Sequence, residues 1–145
     1  MTDHIDAMKD LHKTLIDSRD GYHDAHQRAN DEHIQSLLRD LEAERARFAA
    51  DIRHALAGHD VAMDDDGTIL AGAHRVFLNL KDMARGPSDA AILEEIVRGE
   101  RHLLEKYDAA LAATQTGPDA PLLSEQRRAV TDAIHRMEDE HRAAL

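Results

Sequence analysis

Apolar residues recur along the chain at helical spacing, and turn-forming residues divide them into five runs. At about 100° of rotation per residue, residues 3–28 place Met8, Leu11, Leu15 and Tyr22 on one stripe that runs on to Ala29. Asn30, Asp31 and Glu32 then read as a tight break and an acidic start for a second helix, with Ile34, Leu37, Leu41, Phe48, Ile52 and Ala55 as its stripe. Gly58 closes it. Beyond the polar stretch 59–67, Gly67 and Thr68 open a shorter helix through Ile69, Leu70, Ala73, Phe77, Leu80 and Ala84, which Gly86 and Pro87 stop. Ser88 caps a fourth, carrying Ile92, Ile96, Leu103, Leu104, Tyr107 and Leu111 and ending before Gly117 and Pro118. Asp119 and Pro121 begin a fifth, through Leu122, Val130, Ala133, Ile134 and Met137. All three prolines fall at predicted helix boundaries, so the separate signals agree.

Connection lengths turn these segments into a topology. The first and second helices, and the fourth and fifth, are joined so briefly that each pair should be an antiparallel hairpin. The short middle helix covers about 17 residues, or roughly 25 Å at the helical rise. It can carry the chain back to the end where the second helix began, making the second and fourth helices parallel. The expectation is one all-α domain over residues 1–145, a ferritin-like four-helix bundle with a short crossover helix.

Two glutamates interrupt the apolar stripes, Glu44 on the second helix and Glu100 at the centre of the stripe on the fourth. Parallel helices would set them within roughly 1.5 Å of the same level. Two ionised carboxylates about 6 Å apart repel by roughly 3 kcal/mol at an effective dielectric of about 20, and burial removes several kcal/mol of hydration from each. The pair must therefore meet a cation, share a proton or be reached by water. Arg45 flanks the stripe, while Arg19, Tyr22 and His12 lie on the inward side of the first helix. A protein-only solution, a buried network of Arg19, Tyr22, Glu44, Arg45 and Glu100, is the leading expectation. The alternative is a bound iron, manganese or zinc ion held by Glu44 and Glu100 with His12 or water.

A carboxylate-bridged di-iron centre would need Glu-x-x-His on two of the helices, a spacing that puts both ligands on one face. Glu44 is followed at that spacing by Arg47; Glu138 with His141 has it but lies about two turns from the glutamates, and Asp51 with His54 and Asp132 with His135 turn their histidines away from the stripes. The chain has 11 histidines. His23, His26, His33 and His141 could gather near one end of the bundle as a surface metal or pH-sensing cluster taking zinc or nickel. The run Asp64-Asp65-Asp66-Gly67 lacks the alternation and closing glutamate of a calcium loop.

Composition narrows the classes further. A net charge of -11 repels nucleic acid and anionic membrane surfaces. The absence of cysteine removes disulfides and thiolate chemistry. No apolar run approaches membrane length and no leader pattern opens the chain, so a cytoplasmic protein is expected. No nucleophile with a paired base and no phosphate or dinucleotide loop is recognisable, which disfavours ordinary enzymes. Ala46, Ala49 and Ala50 on the second helix suggest an outward small-residue strip suited to self-association, as a homodimer or larger assembly.

The segments Glu44-Arg45-Ala46-Arg47-Phe48-Ala49-Ala50, Ala73-His74-Arg75, Leu78-Asn79-Leu80-Lys81, Ile92-Leu93-Glu94-Glu95 and Arg98-Gly99-Glu100, with Asp20-Gly21-Tyr22, resemble the bacterial four-helix-bundle proteins grouped as domain of unknown function 2383. The likeness runs from about Leu11 to Met137. It implies a ferritin-like fold in a bacterial protein and no particular activity. The resemblance also implies a histidine where this chain has Ile134; the nearest here is His135, about 100° round the helix and pointing outward.

Overall fold

The structure is a computed structural model that describes residues 4–63 and 88–145. These residues form α1 (His4–Arg28), α2 (Glu32–Ala57), α3 (Asp89–Thr114) and α4 (Ala120–Ala144), and no strand occurs among them. The predicted short helix and the acidic run Asp64-Asp65-Asp66-Gly67 lie outside the described residues.

Two of the starts are capped by the chemistry expected of them, whereas Asp119 stands at the N-cap of α4 with no side-chain cap hydrogen bond. Asp31 Oδ1 accepts from the backbone N–H groups of His33 and Ile34 at 2.8 and 3.3 Å, satisfying donors that the first turn of α2 cannot use. Ser88 Oγ accepts from the Ala91 N–H at 3.1 Å at the start of α3. The ends depart from the sequence expectation. Gly58 is the C-cap of α2 but stays right-handed (φ -64°), and the left-handed residue is Asp60, with φ 62°. Likewise α3 is ended by Gln115 at φ 54°, ahead of Gly117. Asn and Asp tolerate this region better than most residues; Gln115 takes it at some cost in strain.

α1 packs against both α2 and α3, and α3 packs against α4. Ion pairs give the directions: His23 with Glu42 (3.0 Å) runs α1 antiparallel to α2, and Lys106 with Asp10 (2.7 Å) runs α1 antiparallel to α3. Hence α2 and α3 are parallel. The same conclusion follows at one end of the bundle, where the Asp89 carboxylate accepts from the backbone N–H groups of Asn30 and Asp31 at 2.8 and 3.0 Å. That clasp fixes the start of α3 to the α1–α2 turn. α4 meets α2 through His33 with Glu140 at 3.0 Å and through Gln126 with Asp51 at 3.4 Å.

The core follows the stripes, with Met8, Leu11, Leu15, Tyr22, Ile34, Leu37, Ile52, Ile92, Ile96, Leu103, Tyr107, Val130, Ile134 and Met137 all buried. Phe48, Ala55, Leu104, Leu111 and Leu122 pack at its edge and remain half-buried. Two readings need correction. Ala49 is buried in the core, so of the supposed outward strip only Ala50 is exposed and Ala46 is half-buried. In the middle of α1 every residue from Thr14 to Ser18 is buried, a wider face than one stripe.

Candidate functional site

Arg45 bridges the two glutamates, Glu100 inside the bundle and Glu44 at its edge. Its Nη1 donates to Glu44 Oε1 at 2.5 Å and its Nη2 donates to Glu100 Oε2. Arg45 and Glu100 are fully buried, whereas the Glu44 side chain keeps 26% of its surface and reaches water. One guanidinium fork therefore ties adjacent residues of α2 to the middle of α3, with one nitrogen on each carboxylate. The aromatic rings of Tyr22 and Phe48 lie 5.7 and 5.6 Å from the Arg45 guanidinium carbon, close enough for cation–π attraction.

Glu100 Oε1 also receives a long hydrogen bond from Ser18 Oγ at 3.5 Å. The Tyr22 hydroxyl, buried on the same face of α1 one turn later, closes no hydrogen bond, and neither does Arg45 Nε. This centre combines strong ionic contacts with two unsatisfied polar atoms, a costly arrangement in a dry interior.

The electrostatics follow from burial. Desolvation pushes the Glu100 carboxyl above the ordinary carboxylate range, and the attraction of Arg45 offsets only part of that. For Arg45, burial would lower the affinity for its proton, but the carboxylate of Glu100, aided by Tyr22 and Glu44, more than reverses it, so the guanidinium stays charged. The Tyr22 phenol is pushed well up, first by burial and then by the negative charge of Glu100.

Two turns further along α3 a second polar link crosses the core. The Tyr107 hydroxyl donates to Gln126 Oε1 at 2.7 Å, and Gln126 Nε2 donates to Asp51 Oδ2 at 3.4 Å, joining α3, α4 and α2. Burial raises the Tyr107 phenol as well, against the opposing pull of Arg45.

The structure brings Tyr22, Glu44, Arg45 and Glu100 together, but not Arg19. Arg19 turns instead to its neighbour Asp20, with its Nε donating to Oδ1 at 3.1 Å, and stays partly exposed. One residue of helix rotation separates the two outcomes, since Ser18 is the residue facing Glu100. His12 is buried but lies six residues before Ser18 on α1, about 9 Å along the axis. It forms no ligand group with Glu44 and Glu100. Ile134 is buried and His135 exposed, so no imidazole from that part of α4 enters the centre.

Among the described residues, two clusters bring three groups capable of holding a metal within 4.8 Å of one another. One is His23, His26 and Glu42, on the facing sides of α1 and α2. The other is His4, His59 and Asp119, where the start of α1, the end of α2 and the start of α4 converge. There His59 Nε2 pairs with Asp119 Oδ2 at 2.8 Å and stacks edge-on against His4 at 5.1 Å. Sequence reasoning missed this second cluster and also Glu42. It grouped His33 and His141 with His23 and His26, but His33 turns to Glu140 on α4, and His141 belongs to neither cluster.

Fold and centre together define an all-helical bundle with a buried Arg–Glu ion cluster and Tyr22 packed against it. A family model described as a domain of unknown function (DUF2383) matches residues 3–113, and the chain belongs to that family. The match takes in α1, α2 and all of α3 but its last residue; α4, with Ile134 and His135, lies beyond it. No curated protein and no solved structure matches the chain. No helix among the described residues is long and apolar enough to cross a membrane.

Proposed function

We propose that this is a non-catalytic bundle of ferritin-like topology that works by association, with a second copy of itself or with another protein. The observation that carries this reading is the place of Arg45: its guanidinium occupies the position between Glu44 and Glu100 that a metal ion would need. A pair of carboxylates already bridged by an internal, permanently charged group has less to offer a cation. The topology is supported by α2 and α3 running parallel. For association, the small side chains of Ala46 and Ala50 leave the outer side of α2 open to close approach by another helix.

The second reading, an iron, manganese or zinc site at Glu44 and Glu100 with redox or iron-related chemistry, needs Arg45 to leave its place. The half-exposed position of Glu44 is what favours it. Metal analysis of untagged protein from cells grown in iron and manganese separates the two. Absence of any metal that depends on Glu100 supports the bundle reading. Stoichiometric metal lost on Glu100→Ala overturns it, whereas metal retained in that variant belongs elsewhere on the molecule. Sedimentation equilibrium of wild type and Ala50→Glu tests the association, and a strictly monomeric wild type that captures no partner removes it.

A further inference from the structure

We infer that His23, His26 and Glu42 form a binding site for a divalent transition ion of the zinc class, separate from the buried glutamates. Glu42 spans the two imidazoles: His23 Nδ1 lies 3.0 Å from Oε2 and His26 Nε2 lies 3.0 Å from Oε1. Zinc held at about 2.0–2.2 Å by nitrogen and oxygen ligands in a tetrahedron separates those ligands by roughly 3.3 Å. The two contacts already span that edge, and all three ligand atoms fall within 4.8 Å. Small rotations of side chains close the remaining gap.

The frame favours a built site over chance crowding. His23 and His26 are spaced i, i+3 on α1, one face of one helix, and Glu42 sits in the interior of α2. Both helices are long, and they pack against each other directly, so the backbone holding the ligands is stiff. The rings of His23 and His26 meet edge-on at 5.2 Å, and only His23 is widely exposed, with half of its side chain in water. Two neutral imidazoles and one carboxylate suit zinc, nickel, copper or ferrous iron and disfavour magnesium and calcium. The ligand set leaves at least one coordination position for water.

Gln27 supplies the next layer. Its Nε2 lies 3.2 Å from His23 Nε2, and a side-chain amide can turn to offer either its N–H or its carbonyl. With the ion on His23 Nδ1, the imidazole proton moves to Nε2, and the turned Gln27 carbonyl accepts it. This is the outer hydrogen bond that fixes a ligating histidine. The net charge of -11 draws cations toward the surface as a whole.

The test is calorimetric titration of the full-length, untagged chain with Zn2+ alone, together with NMR of the imidazole signals. The expected result is one equivalent bound, with the His23 and His26 signals moving and those of His33 and His59 still. His26→Gln and Glu42→Gln should each abolish that binding while keeping the wild-type melting temperature without metal. Gln27→Ala should weaken it about 10–100-fold. No binding by the wild-type chain, or binding that survives both ligand substitutions, overturns the assignment. Movement of His4 and His59 in place of His23 and His26 moves the site to the other cluster and equally overturns it.

Discussion

The buried centre at Arg45 and the surface cluster at Glu42 solve the same problem in opposite ways. Each has carboxylate charge at a helix–helix contact that needs a partner. At the centre the partner is a guanidinium that cannot lose its charge and is walled in by Tyr22, Phe48 and Glu100. At the surface it is a pair of imidazoles that water can reach, which a metal ion can bind in turn. Burial makes the first contact permanent and expensive to break; exposure makes the second cheap and exchangeable.

The widest separation between the two regions should come from truncation at the centre. Glu100→Ala leaves the Arg45 guanidinium buried beside only Glu44 and should cost about 3–5 kcal/mol in urea unfolding. Replacing both partners, as Arg45→Met with Glu100→Leu, should restore most of that loss, and a double variant as unstable as the single would mean that the ion pair itself drives folding. Next in size, Tyr107→Phe strands the Gln126 carbonyl and should cost about 1–3 kcal/mol by the same measurement. A loss near zero would show that water already serves that link.

A pH series sharpens the contrast with a smaller effect. Folded Glu100 holds its proton more tightly than it does in the unfolded chain, because burial raises it above its ordinary value of 4.5. The stability it contributes is fully present below that value and is lost as pH rises through the raised one, at no more than about 1.4 kcal/mol per pH unit. Unfolding midpoints of wild type and Glu100→Gln should therefore diverge as the pH climbs, with the variant losing less. Parallel curves would place the Glu100 carboxyl in its ordinary range. The smallest change should come from Glu42→Gln without metal, within about 0–1 kcal/mol, since Glu42 and its partner His23 both keep contact with water.

How far each region could be read from the sequence follows the same division. The helices, their antiparallel hairpins and the meeting of Glu44 with Glu100 depend on periodicity and connection length, which are properties of the chain itself. Arg45 was legible because a buried acid demands a cation nearby. Arg19 was misplaced by one residue of rotation, and Ser18, four residues before Tyr22 on the same face, carried the signal that should have replaced it. Gln126 offered a similar clue, three residues after Leu123 and four before Val130 on the inner face of α4. The joining of His4, His59 and Asp119 was not legible, since it arises only where three separate helix ends are brought to one place.

The grip of Asp89 on the Asn30 and Asp31 amides has a consequence for assembly. Each hairpin carries half of an alignment mark, so the halves themselves contribute to specifying how they pair. A protein cut between residues 63 and 88 should still hold the instructions to reunite its fragments in register.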